Sequence, residues 1–312
     1  MSKTAFIFPG QGAQYVGMTT DLMGFPQARS FFDRGSEILG YDIAGLCQNG
    51  PEEKLNSTAF SQPAIFVVSA ALLESFRAAC PEIRADITAG LSMGEYTALY
   101  AAGALGFEDA LALVSRRGQA MQAAADASDG SMVSVIGLDE DKVNQLCSEA
   151  SEGQMLLAAN FNCPGQIVIS GKRDACLRAA ELAPKYGAIK AVPLAVAGAF
   201  HTEMMASAAK DLKTALDKAP IKNPDKIRVI ADISGEYYTS ADDIRQGLVK
   251  QLVRPILWEK CIRRLICDGV GRFYEIGPGR VLTGLLKRID RKANVVNVSS
   301  VESLDRLKSD RL

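Results

Sequence analysis

The pentad Gly90-Leu91-Ser92-Met93-Gly94 leaves this chain fewer choices than any other stretch. An apolar, β-leaning run from Ile83 to Ala89 leads into it, and a run of strong helix formers, Met93 to Ala102, leads away. A strand and a helix with only this between them must turn through an elbow, and so tight an elbow forces its central residue into a strained backbone conformation. Glycines on both flanks remove the Cβ atoms that would collide as strand and helix close up. Ser92 then stands at the apex with its hydroxyl exposed above a helix N-terminus. From there the amide of Met93 and the positive end of the helix can stabilise an oxyanion on an acyl group held by Ser92.

Such pentads also arise in ordinary glycine loops, so the rest of the chain has to supply the chemistry. A nucleophilic serine needs a base, and the base is usually histidine. The chain has one histidine, His201, which is therefore either that base or an ordinary, satisfied residue. It lies in Ala197-Gly198-Ala199-Phe200-His201-Thr202, a loop ahead of a helix over Glu203 to Lys218, from which it can reach a nucleophile on another element. A glycine loop, Pro9-Gly10-Gln11-Gly12-Ala13-Gln14, follows the first apolar run, Thr4 to Phe8. It is either a source of a second oxyanion donor, the amide of Gln11, or a plain tight turn. It is not a dinucleotide fingerprint, because the third glycine place holds Tyr15 and no βαβ unit of the right length follows. In a helix over Phe107 to Ala125, Arg117 shares a stripe with Phe107, Ala110, Val114 and Met121, the side that faces a core. A guanidinium there needs an anion, either an internal Asp or Glu or a substrate carboxylate taken in a bidentate grip.

At 312 residues and 48% hydrophobic, the chain is large enough for one large domain or two. Its 35 Lys and Arg against 36 Asp and Glu leave no domain-wide basic excess for nucleic acid, though a local basic patch for an acidic partner stays open. The longest apolar stretches, such as Ala64 to Leu73, are expected to stop short of spanning a bilayer. The N-terminal apolar run is too short for a signal peptide, so no membrane is expected and the cytoplasm is the expected compartment. Seven cysteines, at 47, 80, 147, 163, 176, 261 and 267, are scattered without a C-x-x-C, and with one histidine they imply buried thiols and no metal site.

Helices are expected over 27–39 and 61–79, the second opening on Gln62-Pro63. Near 126–130 the composition turns small and polar. Beyond it come a strand (131–138), a helix (139–152), two strands (154–162 and 165–170) about a Pro-Gly turn, a helix (172–187) and a strand (188–196). That βαββαβ order is a ferredoxin-like insert over 127–197. Residues 1–126 and 198–312 make the larger domain, with further strands at Lys226 to Ile233, Arg272 to Ile276 and Asn294 to Ser299 and helices at Ala241 to Leu252 and Val281 to Ile289. Parallel strands alternating with helices make it a doubly wound α/β domain.

Seven blocks then fall in order along nearly the whole chain: Phe-Pro-Gly-Gln-Gly-Ala-Gln (8–14), Gly-x-Ser-x-Gly-Glu-Tyr (90–96), Arg-Arg-Gly (116–118), Asn-Phe-Asn-x-Pro-Gly-Gln (160–166), Gly-Ala-Phe-His (198–201), Gln-Leu-x-x-Pro-x-x-Trp (251–258) and Glu-x-Gly-Pro-Gly (275–279). In these blocks the chain resembles the malonyl-CoA:acyl carrier protein transacylases and, more widely, the acyltransferase domains of fatty acid and polyketide synthases. The resemblance implies an α/β-hydrolase-like large domain with a mostly parallel sheet, carrying the ferredoxin-like subdomain. It implies that Ser92 is acylated by malonyl-CoA, that His201 takes its proton and later serves the phosphopantetheine thiol of acyl carrier protein, and that amides of Gln11 and Met93 form the oxyanion hole. By the same resemblance Arg117 holds the malonyl carboxylate, a main-chain carbonyl at Gln251 orients His201 where hydrolases use an acid, and Leu91, Phe200 and Asn160 belong to the acyl pocket. Phe200 matches the variant associated with malonyl. No cofactor is implied beyond malonyl-CoA as substrate. One departure stands out: the family usually has His before the nucleophile, where this chain has Leu91, which touches the shape of the acyl pocket and turnover. The absence of linkers favours a free-standing enzyme, and fatty acid and polyketide supply both remain open. A serine esterase or thioesterase of the same architecture and a non-catalytic docking subunit are the competing readings.

Overall fold

The computed structural model describes residues 2–309. Its nine strands are β1 (Lys3–Phe8), β2 (Ile87–Gly90), β3 (Gly130–Ile136), β4 (Leu156–Cys163), β5 (Gln166–Lys172), β6 (Lys190–Pro193), β7 (Arg228–Val229), β8 (Val270–Ile276) and β9 (Val295–Val298). They form two sheets. One has the order β7-β2-β1-β8-β9 with every pairing parallel; the other has the order β4-β5-β3-β6 with every pairing antiparallel.

Side chains alternate across β1, and helices cover both faces of its sheet. Phe6 and Phe8 join one core with Phe66, Phe76 and Tyr274, and the Phe6 and Phe76 rings meet edge to face at 5.4 Å. Ala5 and Ile7 join a second core with Trp258, Ile262, Leu265, Leu282 and Leu286. Burial on both sides explains why β1 reads as an almost continuous apolar run rather than an alternating one.

Two expectations need correction. The helix at 61–79 begins at Thr58 and runs 22 residues to Ala79, through Pro63. It is long and apolar enough to cross a bilayer, which the count over Ala64 to Leu73 missed, yet 83% of its most apolar window is buried inside the protein. Its apolar surface therefore serves the core, against the helices Pro26–Leu39 and Phe107–Asp126. The strand expected over Lys226 to Ile233 shrinks to the two residues of β7. Ile230 bridges to Tyr237, and the chain bends so that Asp232 turns inward, 1% exposed. An acid there makes hydrogen bonds that a continuing edge strand would not offer it.

From β3 the chain passes through the helix Glu140–Ser151, whose first turn is capped by Asp139 accepting from the Lys142 amide at 2.9 Å. It continues through the β4–β5 hairpin and the helix Arg173–Leu182 to β6. This sheet has its own core of Val133, Val135, Leu146, Ile169 and Cys176. Several ties fasten it to the rest. Arg288 Nη1 donates to Gln166 Oε1 at 2.6 Å. At an irregularity in β4, the Phe161 amide donates to Ile256 O and the Ile256 amide to Ala159 O, both at 2.8 Å. From β5, Ser170 Oγ donates to the carbonyl of Phe200 at 2.8 Å. Six of the cysteines are buried and Cys267 is exposed, all as free thiols.

Candidate active site

Phe8 lies opposite Gly90 in the register of β1 and β2, so both glycine loops leave from neighbouring strand C-termini, where open parallel sheets place their ligands. At the elbow Ser92 has φ of +52°, the left-handed region a residue with a Cβ seldom adopts. Hydrogen bonds on both sides of it hold that conformation. The Ser92 amide donates to Asp232 Oδ2 at 2.7 Å and its carbonyl accepts from Gln251 Nε2 at 3.0 Å. The glycines act by close approach. A Cβ on Gly90 would lie 2.0 Å from the Gly94 carbonyl, and one on Gly94 would lie 2.3 Å from Phe8 O. Strand, helix and β1 touch only because those atoms are absent.

His201 is likewise left-handed, with φ of +60°. Its loop is braced by Thr202 Oγ1 donating to Ala199 O at 2.7 Å and by the Ser170 bond to Phe200. The imidazole bridges two groups: Nδ1 lies 2.7 Å from the Gln251 carbonyl and Nε2 lies 3.0 Å from Ser92 Oγ. A carbonyl only accepts, so Nδ1 carries the hydrogen and Nε2 is left to receive the serine proton. Burial, and then the Arg117 charge, bring the pKa of His201 from 6.5 down to about 3, so the ring is neutral at physiological pH.

Arg117 is 1% exposed. Its Nη1 donates to Gln62 Oε1 at 2.7 Å, and its Nη2 donates to Ser92 Oγ at 3.0 Å and to Gln251 Oε1 at 2.9 Å. Its direct partners are all neutral. Among the described residues no carboxylate forms an ion pair with it, and its Nε has no partner. The internal salt bridge is thus not what occupies this guanidinium.

A cleft of about 370 Å³ gathers Gln11, Leu91, Ser92, Arg117, Asn160, Phe200 and His201 around one space. The Met93 side chain is buried in the core, but its amide, like that of Gln11, is not engaged by any acceptor among the described residues. Two cleft atoms, the side-chain oxygens of Asn160 and Asn162, are buried without partners, and unpaired polar atoms there suit a polar ligand. Among the described residues no cluster of three or more His, Cys, Asp or Glu is arranged for a metal ion.

Sequence reasoning passed over Gln62, Asn162, Glu95, Asp232 and the side chain of Gln251. Glu95 is fully buried: Tyr238 OH donates to its Oε1, and its Oε2 accepts from the Asp232 amide at 3.1 Å and Gln251 Nε2 at 3.0 Å. A signal existed for two of them. Asp232 is the lone acid in Val229-Ile-Ala-Asp-Ile233, and Glu95 follows the elbow where the helix begins.

Residues 5–311 match the acyl transferase domain family. The malonyl CoA-acyl carrier protein transacylase of Bacillus subtilis is 43% identical over 307 residues, covering 98% of this chain and 96% of that protein. The protein of the same name from Escherichia coli (strain K12) is 41% identical over 290 residues, 93% of each. Among solved structures, the malonyl CoA-acyl carrier protein transacylase from Coxiella burnetii superposes with a TM-score of 0.95 at 38% identity, covering 99% of this chain and 97% of that one. A malonyl-transacylase solved in complex with a type II PKS acyl-carrier protein superposes at 0.94 with 39% identity, covering 99% and 100%.

Proposed function

The chain belongs to the malonyl CoA-acyl carrier protein transacylases of the acyl transferase family, and from that premise we propose that it carries malonyl from malonyl-CoA to the phosphopantetheine thiol of an acyl carrier protein through an ester on Ser92. His201 Nε2 takes the Ser92 proton as Oγ attacks the thioester carbonyl. The amides of Gln11 and Met93 receive the oxyanion. Its collapse breaks the C–S bond, and the CoA thiolate leaves with the proton from His201. The carrier thiol then gives its proton to the same nitrogen and attacks the ester, and Ser92 regains a proton as it departs.

The observation that carries this reading is Arg117, a buried cation at the nucleophile with neutral direct partners and an unspent N–H. A malonyl carboxylate supplies the directly bound anion that these neutral partners do not. It also offsets the charge that depresses His201, so the base strengthens when the right substrate is seated. An esterase has no use for such a cation, and its histidine is ordinarily oriented by an acid rather than by a carbonyl such as that of Gln251. Leu91, Phe200 and Asn160 shape the acyl pocket.

We further read residues 1–126 and 198–312 as an α/β-hydrolase-like domain and 127–197 as a ferredoxin-like one, which the order β4-β5-β3-β6 supports. The protein works in the cytoplasm without a cofactor. The test is mass analysis after incubation with malonyl-CoA. One malonyl adduct on Ser92 is expected, absent in Ser92→Ala and discharged by holo carrier protein. An unmodified Ser92, or release of free malonate faster than malonyl-carrier at saturating carrier, defeats the proposal.

A further inference from the structure

Behind the catalytic groups lie two acids that the transfer steps above do not use. Glu95 and Asp232 are 0% and 1% exposed. The Asp232 amide donates to Glu95 Oε2 at 3.1 Å, and Gln251 Nε2 lies 3.0 Å from that oxygen and 3.3 Å from both Asp232 carboxylate oxygens, so the two carboxylates lie side by side. Two carboxylates this close in a buried site do not both stay ionised. The donors around them say which keeps the proton. Glu95 accepts from the Tyr238 hydroxyl, the Asp232 amide and Gln251 Nε2. Asp232 accepts the Ser92 amide at Oδ2 and only long contacts, 3.3 Å, from Gln251 Nε2. Three good donors on Glu95 favour its anion, so the proton belongs on Asp232 and points at Glu95.

Gln251 turns this pair into part of the site. Its Nε2 faces both acids, its Oε1 accepts from Arg117, and its main-chain carbonyl accepts from His201 Nδ1. We propose that Glu95 and Asp232 hold one proton between them, on Asp232, and so present one buried negative charge that, through the Gln251 amide, balances Arg117 and sets how strongly the clamp attracts a carboxylate. The pair positions and tunes; neither acid touches substrate. The inference rests on reading Arg117 as that clamp.

The surroundings agree. Besides Gln251 and Ser92 the pair faces the phenols of Tyr238 and Tyr96 and the Cys261 thiol, each pushed up by burial and therefore neutral, and the Arg117 cation. Burial also pushes both carboxyl pKa values up, as a retained proton requires.

The arrangement makes two isosteric changes unequal. Asp232→Asn reproduces the protonated acid: its amide donates to Glu95, its oxygen accepts from Ser92, and the charge is unchanged. Glu95→Gln removes the carboxylate that has more donors, and Asp232, whose pKa is itself pushed up by burial and whose one close donor is the Ser92 amide, keeps its proton, so the charge is lost. Asp232→Asn is expected to acylate with malonyl-CoA within about threefold of wild type, while Glu95→Gln loses roughly tenfold or more in that rate and yet binds free malonate more tightly as an inhibitor. A purely structural role would weaken both rate and malonate affinity in Glu95→Gln. Infrared spectra at pH 8 provide a readout independent of the clamp: wild type should show a protonated carboxyl band that Asp232→Asn lacks. Equal losses in the two variants, or no such band in wild type, overturns the shared proton. If the band and the unequal rates appear while Arg117→Ala leaves malonate inhibition unchanged, the pair stands as a proton-sharing element, but its proposed link to the clamp fails together with the clamp reading.

Discussion

Replacing Arg117 with Ala removes the donor that Gln62, Gln251 and the Ser92 hydroxyl share. Transfer of malonyl should fall by roughly 10- to 100-fold, the worth of a hydrogen bond to a charged group, while acetyl transfer from acetyl-CoA is kept or raised. Initial rates with both thioesters check this, and equal loss on the two would sink the clamp. Single residues were unevenly legible in the sequence. Ser92 could be found because its two glycines answer a steric need, and His201 because it is the chain's sole imidazole. Arg117 could be found because its helical phase put a cation on an apolar stripe. Gln251 was named only for its carbonyl, since nothing in one sequence shows an amide side chain spanning an acid pair and a guanidinium. Glu95 and Asp232 read as ordinary polar residues because their burial is produced by contacts 137 positions apart.

At the scale of elements, strand and helix carry the elbow only while Gly94 is bare. Gly94→Ala puts a methyl 2.3 Å from Phe8 O. The helix must shift, and a cost of about 1–3 kcal/mol, or a fall of about 2–12 °C in Tm, should appear in scanning calorimetry. The tie from β5 behaves differently. Ser170→Ala deletes one hydrogen bond to the loop that bears His201. Turnover is expected to drop a few-fold with little change in Tm, since one net hydrogen bond is worth about 1 kcal/mol; a normal rate would show that the tie does not place the base. Most elements were legible because apolar periodicity reports buried faces. The misreadings have two causes. A helix buried on nearly every side, such as Thr58–Ala79, loses the polar face that would mark its ends. The run at 226–233 kept a strand-like composition although the chain leaves the sheet after Val229 to bring Asp232 inward.

For the whole molecule, pH dependence follows from groups that burial has moved. Folding lowers His201 from 6.5 to about 3, so between those values the unfolded chain binds the extra proton and stability declines as pH falls, by up to about 1.4 kcal/mol per unit. The buried carboxyls oppose this: with folded pKa values raised, they favour the folded state at low pH and lose that contribution as pH rises through them. Denaturant titrations from pH 7 to 4 should therefore show a shallower loss in His201→Gln than in wild type, and an unchanged slope would contradict a buried, neutral ring. The two-sheet plan has a further outcome. Ser92 rides on the parallel layer. The His201 ring is held to the Gln251 carbonyl, but its loop is also tied to the antiparallel layer through Ser170, and the rungs that join the layers include the bond from Arg288 to Gln166 and the pair between Ala159 and Ile256. Slippage between layers by about an ångström would part the reacting atoms, enough for roughly a hundredfold loss of rate, before either layer melts. Catalysis is thus the protein's own strain gauge: on gentle warming it should fade ahead of the circular dichroism signal, and a cross-link stapling that rung should make the two vanish together.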